Sequence, residues 1–163
     1  KRPGHYDGVV MVVRRLFEII RPNKAYFGKK DYQQLSIIKE MVSRESLGIE
    51  IIGCELVRDH DGIAYSSRNT RLSEKGRKDA LALSKVLFAA RDQYSRMSPK
   101  HVENWAKYAL YSNPTVDLEY FQVVDGVDFE HKTDWDDYAL PMALVAAVVD
   151  GIRLIDNIEL ELT

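Results

Sequence analysis

The sequence contains little of what several common classes of protein require. It has one cysteine in 163 residues, Cys54, which excludes an intrachain disulfide framework and a cysteine-rich zinc site. No apolar run reaches the roughly 18 residues of a membrane-spanning helix, and no HExxH or similar metal-ligand spacing occurs. The formal net charge is -2, so no overall positive charge draws the chain to nucleic acid or to a membrane. Cys54 lies in an apolar stretch and is predicted to be a small core residue.

The first part of the chain alternates helical and strand patterns. Apolar residues recur at helical spacing from Asp7 to about Ile20, and their wide apolar face is predicted to be buried. A short buried strand is predicted at Lys24–Phe27, a helix at Asp31–Ser46 and a second strand at Ile49–Val57. This order is typical of a parallel α/β sheet, in which ligands bind at the carboxyl ends of the strands.

The second part has a different pattern. Helices are predicted at Leu72–Met97, with Ser73 as its N-cap, and at Pro99–Tyr111. The segment "VDLEYFQVVD" alternates apolar and polar residues as a half-buried strand does. Two further strands flank Asp150–Gly151, a dipeptide that favours a tight hairpin turn. These elements predict a helix pair with a three-stranded antiparallel sheet.

The change of pattern predicts two domains. Residues 1–57 are expected to be the C-terminal part of a Rossmann-like α/β domain. Residues 58–163 are expected to be a small α+β domain that begins with a polar loop.

The segment "YFGKKDYQQL" has the features of a phosphate site. Gly28 allows the backbone to approach a ligand closely, and Lys29 and Lys30 supply ammonium groups for an anion. Asp31 suits the N-cap of the following helix, whose N-terminus also favours an anion. The alternative is a plain strand-to-helix turn with solvated lysines.

A second polar segment, "DHDGIAYSSRN", begins at Asp59. The hydroxyls of Ser66 and Ser67 and the guanidinium of Arg68 are close enough in sequence for multidentate phosphate recognition. The alternative is a capped polar loop, because serine and asparagine are common turn residues.

Together these segments resemble the pantothenate synthetase (pantoate–β-alanine ligase) family of the nucleotidylyltransferase superfamily. "RPGHYDGVVMVV" is similar to the family's "RPGHF-GV" helix start, and "FGKKDYQQL" to its "FGEKDYQQL" motif. "DGIAYSSRN" is similar to "DGLAMSSRN", and "RLIDNIEL" resembles the C-terminal strand. The resemblance covers essentially the whole chain. Lys29 departs from the family's usual glutamate, and Tyr65 from its usual methionine or leucine.

The family's first strand and the histidine signature that follows it have no counterpart in this sequence. We therefore expect the chain to be the C-terminal part of the enzyme and to be inactive alone.

The resemblance implies that the chain binds ATP. Lys30, Ser66, Ser67 and Arg68 are the expected catalytic residues, with the serines and the arginine closing over the phosphates from the second domain. Gly28 and Asp31 are expected to hold the ribose, and the backbone of Val57 the adenine edge. The full set expected to bind the nucleotide is Gly28, Lys29, Lys30, Asp31, Val57, Tyr65, Ser66, Ser67 and Arg68.

The resemblance also implies a pantoate site. Gln34 lies one helical turn after Lys30 and is expected to bind pantoate, and Arg2 and His5 are candidates for the pantoate or β-alanine end. In the family the first helix lines the pantoate pocket, so Val9, Val12 and Val13 are expected to contact the gem-dimethyl group. Ordinary core packing is the alternative for the valines, and a polar helix start for His5.

The implied reaction is the ATP-dependent joining of pantoate and β-alanine through a pantoyl adenylate, with release of pyrophosphate and AMP. Mg²⁺ is expected to be carried mainly by the phosphates, so no protein ligand is expected. A homodimer and a cytoplasmic location are expected for the full-length enzyme. The alternatives are a sibling nucleotidylyltransferase with another acceptor, and a folded module without catalytic activity.

Overall fold

The structure, a computed structural model, describes residues 4–160, apart from the side chain of His5. The chain divides into two compact units, Lys1–Leu56 and Val57–Thr163. Across the described residues, no helix is both long enough and apolar enough to span a membrane.

The first unit is an α/β arrangement, as its sequence pattern predicts. Its elements are α1 (His5–Ile20), β1 (Lys24–Gly28), α2 (Tyr32–Arg44) and β2 (Glu50–Cys54). β1 and β2 pair in parallel, with Lys24 opposite Glu50 and Gly28 opposite Cys54. The two strand ends that carry Gly28 and Cys54 therefore lie side by side at the carboxyl edge of the sheet.

The predicted burial of these strands is wrong on one face. Ala25, Phe27 and Ile51 pack into the core cluster of the unit, whereas Tyr26 is 65% exposed. Side chains alternate along a strand, so the face that carries Tyr26 also carries Cys54, which is exposed rather than a core residue. An apolar sequence predicts strand formation, but burial requires a second layer on each face.

The predicted wide buried face of α1 is only partly buried. Phe17 is buried, and Val9, Val10 and Val13 pack partly buried beside it against residues of α2 and the sheet. The rest of the apolar arc lies in solvent within the described part of the chain, and it comprises Met11, Val12, Leu16, Ile19 and Ile20. α1 is thus apolar over a wider arc than its neighbours cover.

The second unit places two helices on a three-stranded antiparallel sheet. Its elements are α3 (Glu74–Gln93), α4 (Pro99–Tyr111), β3 (Val116–Asp125), β4 (Pro141–Val149) and β5 (Ile152–Glu159). The strands lie in the order β3-β4-β5, so each strand pairs with its neighbour in sequence.

Local sequence signals account for most boundaries in the second unit. The Ser73 hydroxyl accepts a hydrogen bond from the Gly76 amide and caps α3, and Ser98 caps α4 in the same way through the His101 amide. Asp150 and Gly151 have φ values of 54° and 70°, the left-handed conformation that a type I′ hairpin turn requires. α3 ends earlier than predicted, because its last turn tightens into a 3₁₀ helix at Tyr94–Arg96.

The core of the second unit forms where α3 and α4 meet one face of the sheet. Fully buried residues from these elements include Leu87, Leu110, Phe121 and Val145. Burial of each such side chain stabilises the unit by about 1.5–3 kcal/mol. α3 and β5 also provide the charged and aromatic side chains that hold the polar loop preceding α3.

Candidate functional site

The carboxyl end of β1 runs into a short 3₁₀ helix before α2 begins. Gly28 is the last strand residue, and Lys29–Asp31 form the 3₁₀ turn. Asp31 occupies the N-cap position of α2, but its side chain makes no capping hydrogen bond. Asp31 is thus the N-cap residue, as predicted, but the tight turn sets its backbone at φ -94° and ψ 58°, outside the extended conformation in which a capping side chain bonds the helix amides.

Lys29 and Lys30 are both half-buried in this turn. The Lys29 ammonium forms an ion pair with the Glu55 carboxylate, just beyond the end of β2. Its side chain is 33% exposed, whereas that of Glu55 is 84% exposed. Lys30 is half-buried one residue further along the turn. The ion pair joins the ends of both strands and gives the Lys29 charge a partner within the protein.

Gly53 allows α2 and the Lys29 side chain to lie close to β2. A Cβ atom at this position would lie 3.0 Å from Leu35 Cδ2 and 3.6 Å from Lys29 Cε. The close approach brings the first turn of α2, with its polar side chains, to the carboxyl edge of the sheet.

Two glutamines, Gln33 and Gln34, lie at the start of α2. The Tyr6 hydroxyl donates a 2.8 Å hydrogen bond to Gln33 Oε1 and thereby ties α1 to α2. Gln34, the predicted substrate-binding residue, is half-buried.

The substrate-binding residues predicted between Arg2 and Val13 fall into three groups. Val9 and Val13 are partly buried against the core cluster, whereas Val12 is 54% exposed. Arg2 and the side chain of His5 lie outside the described residues.

In the second unit, the polar loop begins as a tight hairpin. The Val57 carbonyl accepts a 2.9 Å hydrogen bond from the Tyr65 amide, and the Asp59 amide donates to the Ile63 carbonyl at 2.9 Å. Gly62 has φ 95°, which a residue with a side chain rarely adopts. The side chains of Val57 and Tyr65 are exposed, so the hairpin presents both to solvent within this unit.

The hairpin leads into the serine and arginine residues. Ser66 Oγ accepts a 3.2 Å hydrogen bond from the Arg68 amide and caps the 3₁₀ helix Ser67–Arg71. Ser67 and Arg68 are exposed, and the Arg68 guanidinium forms no ion pair within residues 4–160. Buried Asn69 holds the two ends of this segment together, because its Nδ2 donates to the Ala64 carbonyl at 3.0 Å. The loop is thus both capped and able to present two hydroxyls and a guanidinium.

Two groups of ion pairs hold this loop, and sequence reasoning missed both. The Arg58 guanidinium binds the Asp156 carboxylate with two hydrogen bonds, of 2.7 and 3.0 Å. Arg77 of α3 donates to Asp61 at 2.8 Å and to Asp59 at 2.9 Å. The signals are single charged residues far apart in sequence, and no local spacing indicates that they meet.

The ion pairs of Arg77 also shift pKa values in this loop. Burial by itself raises the pKa of Asp61. Hydrogen bonds from Arg77 and the Ile63 amide lower it by more, so the pKa lies below its usual value. Hydrogen bonds to Asp59 and Asp61 raise the pKa of Arg77. Asp61 and Arg77 are therefore charged at neutral pH.

The described residues form no cluster of three or more histidine, cysteine, aspartate or glutamate side chains that could hold a metal ion. Cationic and hydroxyl groups dominate the two predicted segments instead. The structure thus brings the predicted residues together in two sets, one in each unit. The first set is Gly28, Lys29, Lys30, Asp31 and Gln34, and the second is Val57, Tyr65, Ser66, Ser67 and Arg68.

Comparison with known proteins gives consistent results. The family model for pantoate-beta-alanine ligase matches residues 1–159. A pantothenate synthetase of Bacteroides thetaiotaomicron is 40% identical over 158 residues, which are 97% of this chain and 56% of the relative. The chain therefore spans about half the length of the curated relatives that it matches.

Solved structures agree with the sequence comparison. Pantothenate synthetase from Thermus thermophilus superposes with a TM-score of 0.91 at 38% identity, over 98% of this chain and 57% of that protein. A pantoate-beta-alanine ligase from Francisella tularensis, complexed with beta-gamma ATP and beta-alanine, matches 99% of this chain and 53% of that protein. Its TM-score is 0.68 at 26% identity. With the family model matching nearly every residue, the chain belongs to the pantoate-β-alanine ligase family.

Proposed function

We propose that the full-length protein containing this chain joins pantoate to β-alanine in an ATP-dependent reaction that makes pantothenate, a precursor of coenzyme A. The observation that carries the proposal is the family match over residues 1–159. The Francisella tularensis relative, complexed with beta-gamma ATP and beta-alanine, supports the use of these two compounds. We propose a pantoyl adenylate as the intermediate, with pyrophosphate released first and AMP second.

Such a reaction needs a carboxylate oxygen aligned with the α-phosphorus and stabilisation of the charge that moves onto pyrophosphate. Lys30 is proposed to contact the phosphates in the transition state. Its position at the carboxyl end of β1, immediately before the N-terminus of α2, supports this role, because such a location favours anions. Gly28 and Asp31 are proposed to contact the ribose.

The polar loop is proposed to bind phosphate oxygens of ATP. The exposed side chains of Ser67 and Arg68 supply a hydroxyl and a fork of N–H donors suited to phosphate oxygens. Ser66 contributes its hydroxyl while its oxygen caps the 3₁₀ helix. Tyr65 and the Val57 backbone are proposed to contact the nucleotide. The Val57 carbonyl already accepts from the Tyr65 amide, so it contributes to adenine binding only through a second acceptor lone pair.

Gln34 is proposed to hydrogen-bond pantoate, with Arg2 and His5 as further candidates. Val12, exposed on α1, is a better candidate for contact with the pantoate methyl groups than Val9 and Val13, which pack partly into the core cluster. Mg²⁺ is proposed to arrive on the phosphates of ATP, which suits an ion that keeps several waters and few protein ligands.

The 163-residue chain alone is proposed to be inactive, because it spans 56% of its curated relative. For the full-length protein we propose a homodimer in the cytoplasm, where ATP is available. Analytical ultracentrifugation of that protein tests the dimer, and a monomer at micromolar concentration would contradict it.

The test of the function is to follow pyrophosphate and AMP release by the full-length protein with Mg-ATP. Pyrophosphate release is expected to require pantoate but not β-alanine, whereas AMP release is expected to require both. Pyrophosphate release with another carboxylic acid in place of pantoate would indicate a sibling enzyme. No release under any condition would favour a folded module without catalytic activity.

A further inference from the structure

We propose that Arg58, held by Asp156, is a positioning residue that sets the placement of Ser66, Ser67 and Arg68. This inference rests on the proposed function of those three residues. Arg58 lies eight residues before Ser66 in sequence, and its guanidinium hydrogen bonds go to Gly62, Asp156 and Asn157 rather than to Ser67 or Arg68. It acts through the backbone of the loop.

Arg58 sets the register of the loop hairpin. It pairs with Ala64 in an antiparallel bridge, and its Nη1 atom donates to the Gly62 carbonyl at 3.1 Å. Ala64 in turn accepts the Asn69 side-chain hydrogen bond. A shift of Arg58 is therefore transmitted through Ala64 to both ends of the segment that carries the serines.

The Arg58 guanidinium is anchored on several sides. Besides its two bonds to Asp156, its Nη2 atom donates to the Asn157 carbonyl at 3.2 Å, and its Cζ atom lies 4.8 Å from the centre of the Phe88 ring. One side chain thus joins the loop to β5 and to α3. A planar fork with this many partners has one orientation, which fixes the start of the hairpin.

The ion pair between Arg58 and Asp156 is largely buried. The side chain of Arg58 is 18% exposed and that of Asp156 is 4% exposed. Desolvation makes a buried ion pair a poor source of stability compared with apolar residues of the same volume. What the pair supplies is a fixed geometry, and a displacement of about 1 Å in a substrate-positioning group costs about 100-fold in rate.

A second arginine–carboxylate pair offers a matched control, and it too involves a residue of β5, the strand that carries Asp156. Arg153 of β5 binds Glu119 of β3 through three hydrogen bonds of 2.8, 3.0 and 2.9 Å. Its side chain is 30% exposed, and that of Glu119 is 26% exposed. This pair is also an arginine fork on a carboxylate, but it joins two strands of the sheet rather than the loop to the sheet.

The test compares Arg58→Lys and Asp156→Asn with Arg153→Lys and Glu119→Gln in the full-length protein. We expect both loop variants to lower kcat by at least about tenfold, with the KM for β-alanine unchanged. The two control variants are expected to keep kcat within about twofold, although all four lower the unfolding temperature. Equal kcat values in Arg58→Lys and Arg153→Lys would overturn the proposal. Arg58→Lys keeps the charge, so it serves as the decisive variant if Asp156→Asn does not fold.

A second readout separates positioning from stability. In an Arg68→Gln background, Arg58→Lys is expected to lower kcat by a clearly smaller factor than it does in the wild type, because one of the three groups that it positions is gone. Full additivity would instead indicate an independent structural effect and overturn the proposal.

Amide hydrogen exchange tests the positioning role independently of the proposed reaction. Arg58→Lys is expected to accelerate exchange of the Asn69 amide, which bonds the Ser66 carbonyl at 3.0 Å, by at least about tenfold relative to Arg153→Lys. If the wild-type protein shows no pantoate-dependent release of pyrophosphate, the proposed function fails while exchange still decides whether Arg58 positions the loop. Equal exchange rates in the two variants would overturn the positioning role.

Discussion

The Lys29 ammonium and the Glu55 carboxylate form an ion pair that joins the carboxyl ends of β1 and β2. Glu55 is largely exposed, so the pair contributes no more than about 1 kcal/mol to stability. Its larger effect is on charge, because Glu55 neutralises one of the two lysines that the sequence offers to an anion. Lys30 follows in the same turn and is the lysine proposed to contact the phosphates of ATP.

The first prediction concerns these lysines. In the full-length protein, Lys30→Gln is expected to lower kcat by about 10²–10³-fold, the usual cost of removing a group that stabilises transition-state charge. Lys29→Gln is expected to change the KM for ATP by less than about threefold, because the Lys29 charge is already partnered. Initial rates of AMP release measure both. A loss of rate in Lys29→Gln as large as that in Lys30→Gln would show that the ion pair with Glu55 does not keep the Lys29 charge from ATP.

The second prediction concerns the 3₁₀ helix Ser67–Arg71. Arg68→Gln is expected to lower kcat/KM for ATP by about 100-fold, because it removes a charged donor to phosphate oxygens. Arg71→Gln is the control, since Arg71 is an exposed arginine of the same short helix. We expect it to change kcat/KM by less than about threefold. Similar losses in both variants would indicate a general electrostatic attraction rather than a specific contact.

The third prediction concerns the start of α3, where the Asp150 carboxylate accepts a 2.8 Å hydrogen bond from the Ser73 amide. A Cβ atom on Gly76 would lie 2.6 Å from the Cβ atom of Asp150. Gly76→Ala is therefore expected to destabilise the second unit by about 1–3 kcal/mol, although alanine favours helices. Urea unfolding followed by tryptophan fluorescence measures this unit alone, because both tryptophans, Trp105 and Trp135, lie within it.

The control for that prediction removes the clash. Asp150 has φ 54°, which glycine adopts without strain, so Asp150→Gly is tolerated by the turn while losing the bond to Ser73. In this background Gly76→Ala is expected to be neutral or stabilising. If it remains destabilising there, the close approach to Asp150 is not the cause.

The fourth prediction concerns acid unfolding of the second unit. Burial by itself raises the pKa of Glu103. Hydrogen bonds of 2.6 Å from Lys107 and 3.2 Å from the Val123 amide lower it by more, so its folded pKa lies below 4.5. The unfolded chain therefore binds more protons on acidification. The stabilising contribution of Glu103 is present above the unfolded pKa and is lost as the pH falls through the folded pKa.

Urea unfolding between about pH 6 and pH 3, again followed by tryptophan fluorescence, tests this sign. The unfolding free energy is expected to fall on acidification, and Glu103→Gln is expected to be less stable at the upper end of this range but to have a flatter pH profile. The pKa values of Asp61, Asp79, Asp128 and Asp150 are lowered as well, so the variant retains part of the pH dependence. A profile as steep as that of the wild type would contradict the prediction.

Elements with a local signal could be predicted from the sequence. α4 begins at Pro99 and ends at Tyr111 as predicted, because a serine cap and a proline in the first turn fix its start. The Asp150–Gly151 turn and the Ser73 cap were predictable for the same reason. In each case neighbouring residues determine the backbone conformation without help from distant ones.

Features that depend on distant residues could not be predicted. Arg58 and Asp156 are 98 positions apart, and no periodicity connects them. The exposure of Cys54 depends on whether a second layer covers that face of the sheet, which an apolar strand pattern does not report. The candidate site shows the same division, since its motifs were recognisable in sequence whereas the partners of Lys29 and Arg58 were not. The assigned roles of the site residues stay predictions.

The strand order of the second unit has a consequence for how the chain folds. β4 and β5 meet through a two-residue turn, so little loop-closure entropy is lost before their hydrogen bonds form, and hairpins form in about 1–10 μs. β1 and β2 pair only after the chain has passed through α2, which makes their contacts less local and slower to form. The β4–β5 hairpin is therefore expected to be structured early, with the parallel pair of the first unit completed later.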